Sequence, residues 1–404
     1  MNVPEIRFKG FTDAWAQRKL GEVAEFSKGS GYSKSDLSDV GMPIILYGRL
    51  YTRYETVIED IDTFVDPKEN SVISCGGEII VPSSGETAED ISRASVVGKK
   101  GIVLGGDLNI VRADSTINPT FLAFTISNGN QQKELTRRAQ GKSVVHLNNS
   151  DLKEVMLQLP SFPEQTAIGN FFRTLDDTIT LHRRRLEGLK ELKKGYLQLM
   201  FPQAGESVPR VRFAGFTGEW ERRVWGETVD ISTNMVDPKT GKYDALPHVG
   251  PGNIESFTGR LLNNIKTVKE EKLISGKFYF NSGDIVYGKI NPQLAKYFYS
   301  NFEGLCSADA YVLNSKEGFE QRFLYVLLQS KYFYDYSVSV SQRTGMPKIN
   351  RDELSQFSFF APNAEEQTAI GSVFRSLDEQ ITAQQINLDN IKQLKAAYLQ
   401  KMFV

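Results

Sequence analysis

The residues able to do chemistry in this chain are few and scattered. Gly141-Lys142-Ser143 has the ending of a phosphate-binding loop, in which glycine amides cradle phosphates beside a lysine. The first glycine of that pattern would fall at Thr136, so no nucleotide site is expected. The only histidines, His146, His182 and His248, have no histidine or cysteine three to five residues away, which argues against a zinc or non-haem iron site. No GxSxG or GxGxxG stretch is present, and no catalytic triad suggests itself. Cys75 and Cys306 stand far apart and read as reduced, buried thiols. What remains are polar, aromatic and basic loops. In the first half these offer Tyr47, Arg49 and Arg53 (YGRLYTR), Ser83 and Ser84 (PSSGE), and Lys142 and Ser143. In the second they offer Lys289, Asn291 and Lys296 (GKINPQLAK), and Arg343, Thr344 and Lys348 (RTGMPK). Arg, Lys, Asn and Ser are the side chains that read base edges and phosphates, so such loops suit a nucleic-acid groove. Taken singly, each also reads as a surface solubiliser.

Asn118-Pro119-Thr120-Phe121 and Asn291-Pro292-Gln293-Leu294 invite comparison with the Asn-Pro-Pro-aromatic motif of adenine methyltransferases. Both lack the second proline and neither is accompanied by a glycine-rich cofactor loop, so no methyl transfer is expected here. The chain reads as one that holds and recognises, with no catalytic residue, metal or cofactor of its own. With 404 residues, 40% of them hydrophobic and 24% charged, it has the length for two or three domains and the composition of a folded protein. It contains no run of about 18 apolar residues, and Met1 to Gly10 has neither a basic nor an apolar leader region. A soluble, cytoplasmic protein without a membrane partner is the expectation. A formal net charge of −1 means that any nucleic-acid binding must rest on local basic surfaces.

An internal repeat frames those loops. Val3 to Ser27 recurs as Val208 to Ser232, sharing among others Val3, Pro4, Arg7, Phe8, Gly10 and Trp15 with Val208, Pro209, Arg212, Phe213, Gly215 and Trp220. Pro160 to Phe201 recurs as Pro362 to Phe403, with EQTAIG at Glu164 to Gly169 and again at Glu366 to Gly371. The chain is a tandem duplication. Its two middles, Lys28 to Leu159 and Thr233 to Ala361, share almost nothing, as expected if one frame carries two different readers. They read as mixed α/β, with short strand-like runs at Glu78 to Val81, Gly101 to Leu104, Asp284 to Tyr287 and Ala310 to Leu313, and a helix over Phe319 to Gln329.

Each C-terminal repeat opens on a helix-start signature, Ser161 three before Glu164 and Asn363 three before Glu366, where a cap side chain and a returning carboxylate would satisfy free amides. Apolar residues then follow a heptad seam: Ile168, Phe172, Leu175, Ile179, His182, Leu186, Leu189, Lys193, Tyr196 and Met200, matched by Ile370 through Met402. A helix of about 35 residues would be about 52 Å long. Each stripe needs a partner, and the duplication suggests that the two helices pack antiparallel. The expected organisation is a domain over 1–160, a long helix over 161–202, a linker over 203–207, a second domain over 208–362 and a second long helix over 363–404. A basic run, Arg183, Arg184, Arg185, Lys190, Lys193 and Lys194, reads first as a solvated face.

The paired openings VPEIRFKGFTDAW and VPRVRFAGFTGEW, the paired EQTAIG helices ending YLQLMF and YLQKMF, and the unlike middles closely resemble the specificity subunit of type I restriction-modification systems over the whole chain. The resemblance implies an α/β fold: two mixed α/β target recognition domains separated by two long antiparallel coiled-coil helices, a pseudo-twofold tandem repeat. It implies a non-catalytic subunit whose domains each bind half of a split, asymmetric site in double-stranded DNA. Partners would be two modification (methyltransferase) subunits docked on the helices, and restriction/translocase subunits. S-adenosylmethionine, ATP and Mg would belong to those partners. A rod of about 52 Å spans roughly 15 base pairs, so rod length would set the spacer and loop sequence the half-sites. The competing reading from another class is a scaffold whose rod holds two protein-binding domains apart.

Overall fold

The computed structural model describes residues 3–141, 144–203, 205–342 and 345–403. Two compact units form, residues 1–184 with 385–404, and residues 185–384. Each contains part of both C-terminal repeats.

The units share one plan despite their unlike middles. Each opens on a strand paired antiparallel with the strand before its long helix, Ala16–Lys19 with Met156–Leu159 and Glu221–Val224 with Ser358–Ala361. The main sheet of the first unit runs in the order Ala24–Lys28, Leu108–Ala113, Ile79–Pro82, Ser95–Val97, Val57–Ile58. In the second unit the order is Val229–Ile231, Ala310–Ser315, Ile285–Gly288, Tyr297–Tyr299, so the first four strands correspond one to one. A second sheet in each is built on one parallel pair, Val103–Leu104 beside Met42–Ile45 and Gly304–Cys306 beside Pro247–Val249. The strand-like runs foreseen in the middles are these strands, and their interior positions are continuously apolar because both faces are covered.

Four helices close the units: α1 (Pro119–Ser127), α2 (Phe162–Leu199), α3 (Gln321–Gln329) and α4 (Ala364–Met402). Asn118 caps α1, its Oδ1 accepting the Phe121 amide at 3.0 Å with Pro119 in the first turn. At about 1.5 Å per residue, the 38 residues of α2 and 39 of α4 run for about 57 to 58 Å.

The seam is where the periodicity places it. Ile168, Phe172, Ile179 and Leu186 are buried on α2 and Met200 just beyond its end, and Ile370, Phe374, Leu377, Leu388 and Met402 are buried on α4. Within the first unit the start of α2 lies antiparallel to the end of α4: Phe171 meets Tyr398 at 5.1 Å, Phe172 meets Phe403 at 5.6 Å, and Lys395 is paired with Asp176. Within the second, Lys193 of α2 reaches Asp378 of α4 at 2.6 Å. The two lysines that interrupt the seam are thus neutralised by aspartates from the facing helix.

Each core is finished by the helix end of the other repeat. In the first unit Phe121 is edge-on to Trp15 at 6.1 Å and stacked on Phe403 at 5.8 Å. In the second, Phe323 is edge-on to Trp220 at 6.0 Å and stacked on Phe201 at 5.6 Å. The openings follow the same exchange: the Ile6 amide donates to the Lys401 carbonyl, and the Val211 amide to the Leu199 carbonyl.

Two expectations need correction. The Glu164 and Glu366 carboxylates do not return to their helix caps. They take bidentate pairs from Arg7 (2.8 and 2.7 Å) and Arg212 (2.8 and 2.6 Å), because a buried carboxylate gains more from two parallel bonds to a guanidinium cation than from one bond to an uncharged backbone amide. The cap of α4 does form, Asn363 Oδ1 accepting the Glu366 amide at 3.0 Å. Both thiols are free, but Cys75 is exposed; Cys306 is buried, which pushes its thiol up to about 12.

Candidate nucleic-acid interface

The loop that follows the central strand of each main sheet lies against the segment that precedes a short helix. In the first unit Ser84 and Gly85 pair with His146 and Val145, and the Leu147 amide donates to the Ser83 carbonyl at 3.0 Å. In the second, Ile290 bridges Lys348, the Asn291 amide donates to the Pro347 carbonyl at 2.8 Å, and the Ile349 amide to the Lys289 carbonyl at 3.0 Å. In the short helices that follow, Asn149–Lys153 and Arg351–Ser355, a carboxylate three residues on accepts the amide of the cap residue, Asp151 that of Asn148 and Glu353 that of Asn350, each at 2.8 Å. Corresponding segments are thus brought together in the two units, residues 83–85 with 145–147 in the first and 289–291 with 347–349 in the second.

The sequence candidates separate by environment. In the second unit Lys289, Asn291, Lys296 and Lys348 come together. Lys289 Nζ lies 5.2 Å above the Tyr311 ring and Lys296 Nζ donates to the Pro251 carbonyl at 2.5 Å, while Lys348 is exposed. Asn291 (φ 51°) and Ala295 (φ 44°) hold left-handed backbone at the two ends of this turn, conformations that only a supporting fold maintains. In the first unit Tyr47 is exposed, edge-on to Tyr51 at 5.9 Å. Arg53 is half-exposed and pairs with Asp62 at 3.0 Å. Arg49 is buried among acceptors, Glu55 at 2.7 Å, Asp62 at 3.1 Å and the Asp60 carbonyl at 2.7 Å, and so holds its own loop together. Ser83 and Ser84 are buried; their main chain carries the contacts, the Ser84 carbonyl accepting the Tyr51 hydroxyl at 2.5 Å. Lys142, Ser143, Arg343 and Thr344 lie outside the described residues.

Residues not singled out from the sequence support these loops. Arg351 donates to the Ile231 and Ser232 carbonyls, each at 2.8 Å, with its guanidinium 5.4 Å from the Tyr311 ring. Asn109 is fully buried on the strand that corresponds to that of Tyr311. The signal for Asn109 and Tyr311 is their separation of 202 residues, the same offset as between the two C-terminal repeats, visible only once the two middles are aligned by strand.

Among the described residues no group of three or more His, Cys, Asp and Glu could hold a metal ion. No described helix is long and apolar enough to cross a membrane. The arrangement offers hydrogen bonding, cation–π stacking and shape, the means of recognition.

Residues 12–191 and again 219–393 match the type I restriction modification DNA specificity domain. The chain is 27% identical over 294 residues to the specificity subunit of the Escherichia coli type I restriction enzyme EcoDI, covering 66% of this chain and 65% of that one. It therefore spans just under two thirds of that relative. It is 21% identical over 385 residues to the StySPI specificity subunit of Salmonella potsdam, covering 89% of this chain and 81% of that one. The fold matches the crystal structure of the type I restriction-modification S subunit from M. genitalium with a TM-score of 0.69 at 14% identity, over 100% of this chain and 99% of that one.

Proposed function

Because the chain belongs to the type I restriction modification DNA specificity family, a family of recognition components, we propose that its two units read the two halves of one split, asymmetric site in double-stranded DNA. The observation that carries this reading is that like frames are built from unlike residues where the two loops meet: Ser83, Asn109 and Leu147 in the first unit stand where Lys289, Tyr311 and Ile349 stand in the second. Base edges are told apart by donor and acceptor pattern, so unlike loops on like frames read unlike sequences.

The chain supplies recognition, and chemistry belongs to partners: two adenine methyltransferase subunits that carry S-adenosylmethionine and dock along α2 and α4, and restriction subunits that use ATP and Mg. The assembly works in the cytoplasm. The net charge of −1 supports a division of labour in which the partners provide much of the phosphate contact, and DNA binding by the chain alone is weak. Residues Tyr47, Arg53, Lys289, Asn291, Lys296 and Lys348 are the contacts favoured by exposure or clustering.

The spacer between half-sites follows the length of α2 and α4. One heptad inserted at equivalent places in both, about 10 Å of helix, should lengthen the spacer by about three base pairs at ~3.4 Å per pair and leave both half-sites unaltered. Altered half-sites at a constant spacer would overturn the reading.

A further inference from the structure

We infer that Asn109 and Tyr311 are specificity-positioning residues, each fixing the gap between the two reading loops of its own unit. This rests on the DNA-reading function proposed above. The two side chains occupy the same place: Asn109 faces Val81 across the main sheet, and Tyr311 faces Tyr287 on the corresponding strand pair. Both are interior, at 0% and 6% exposure.

Each spends its polar end on the same carbonyl. Asn109 Nδ2 donates to the Leu147 carbonyl at 2.8 Å and to Pro82 at 3.4 Å, at the start of the Pro82–Gly85 loop. The Tyr311 hydroxyl donates to the Ile349 carbonyl at 3.3 Å, and its ring carries Lys289 at 5.2 Å and Arg351 at 5.4 Å. Leu147 and Ile349 are themselves the residues whose amides bond to Ser83 and Lys289 across the loop pair. One strand residue thus sets how the second loop stands on the first.

The two residues differ in reach. A carboxamide ends two bonds beyond Cβ, whereas a phenol ends across a whole ring, so the same carbonyl is held from a short arm in one unit and a long arm in the other. Neither side chain is exposed enough to touch DNA, so their influence on base choice passes through loop separation, as sequence preference passes through shape at positions that are not contacted.

The test maps N6-methyladenine in cells of the source strain whose only specificity subunit is wild type, Asn109→Ser, Asn109→Ala or Tyr311→Phe, with thermal unfolding of each purified complex alongside. Tyr311→Phe keeps the ring beneath Lys289 and Arg351 and removes only the hydroxyl. Asn109→Ser is the gentler variant should Asn109→Ala fail to fold. The expected result is relaxed base preference in the first unit's half-site for the Asn109 variants and in the second's for Tyr311→Phe. About a two- to tenfold loss of discrimination is expected, the worth of one hydrogen bond, with the other half-site and the spacer intact. Methylation that falls equally at every site with an unchanged motif, or that does not change at all, overturns the positioning role. A wild-type map without any split motif overturns the DNA-reading function instead.

Discussion

Lys193 Nζ lies 2.6 Å from Asp378 Oδ1 with only 10% of the lysine side chain exposed, and Lys395 repeats the arrangement on Asp176. A lysine in a heptad seam is costly unless its charge is met, and here the facing helix meets it at a defined register. Lys193→Ala leaves Asp378 partly buried without its cation. The expected loss is about 1–3 kcal/mol, reduced from a fully buried pair because Asp378 is 29% exposed. The double variant Lys193→Leu with Asp378→Leu should recover most of that in denaturant unfolding; additive losses would show that the pair is not coupled.

Arg212 and Glu366 tie the opening of the second repeat to the first turn of α4, with Glu366 only 1% exposed on its side chain. Arg212→Ala strands a buried carboxylate and should cost about 3–5 kcal/mol. Arg212→Lys restores charge without the fork and should recover only part of it. Equal stability of the two variants would show that geometry at this site is immaterial.

The exchange of helix ends predicts that the first unit depends on the last turn of α4 and on Phe403, which follows it. Phe403→Ala removes the ring stacked on Phe121 and packed on Phe172, at an expected cost of about 3–5 kcal/mol. Hydrogen exchange of α1 amides should accelerate while α3 amides hold; the reverse pattern would contradict the assignment. Phe201→Ala should reverse the two helices.

His248 gives the second unit an acid sensitivity. Burial lowers its pKa below the ordinary 6.5 against the opposing pull of Glu271, whose Oε2 lies 2.6 Å from Nδ1, and Lys277 adds to the lowering. A proton therefore binds the unfolded chain more readily than the folded one. The stabilising contribution is complete above about pH 6.5 and is lost as pH falls from there through the folded value. His248→Gln should flatten the pH dependence of unfolding in that window; an unchanged slope would assign the effect to other groups.

The repeats made the frame readable. Arg7, Trp15, Glu164 and Phe201 and their second copies are frame residues, and the structure spends them on ion pairs and aromatic stacks that are the same in both units. What spacing could not show is which carboxylate an arginine 154 residues away would take, since Arg212 and Glu366 meet only through the tertiary fold. The loops were less legible for a related reason. Arg49 has the side chain of a reader, yet three nearby acceptors claim it; Ser84 falls where two strands pair, and the Ser83 carbonyl beside it is taken by the Leu147 amide. Asn109 and Tyr311 looked like ordinary strand residues because their equivalence depends on strand order, which unlike sequences conceal.

The most direct test of the account is a genome-wide map of N6-methyladenine in the source cell with and without this gene. Two units reading two half-sites predict that deletion abolishes methylation at one split motif with a fixed spacer, and that complementation restores the same motif. Deletion that leaves every methylated motif in place, in a strain whose modification subunits are present and active, would contradict DNA recognition and favour a scaffold that holds protein partners.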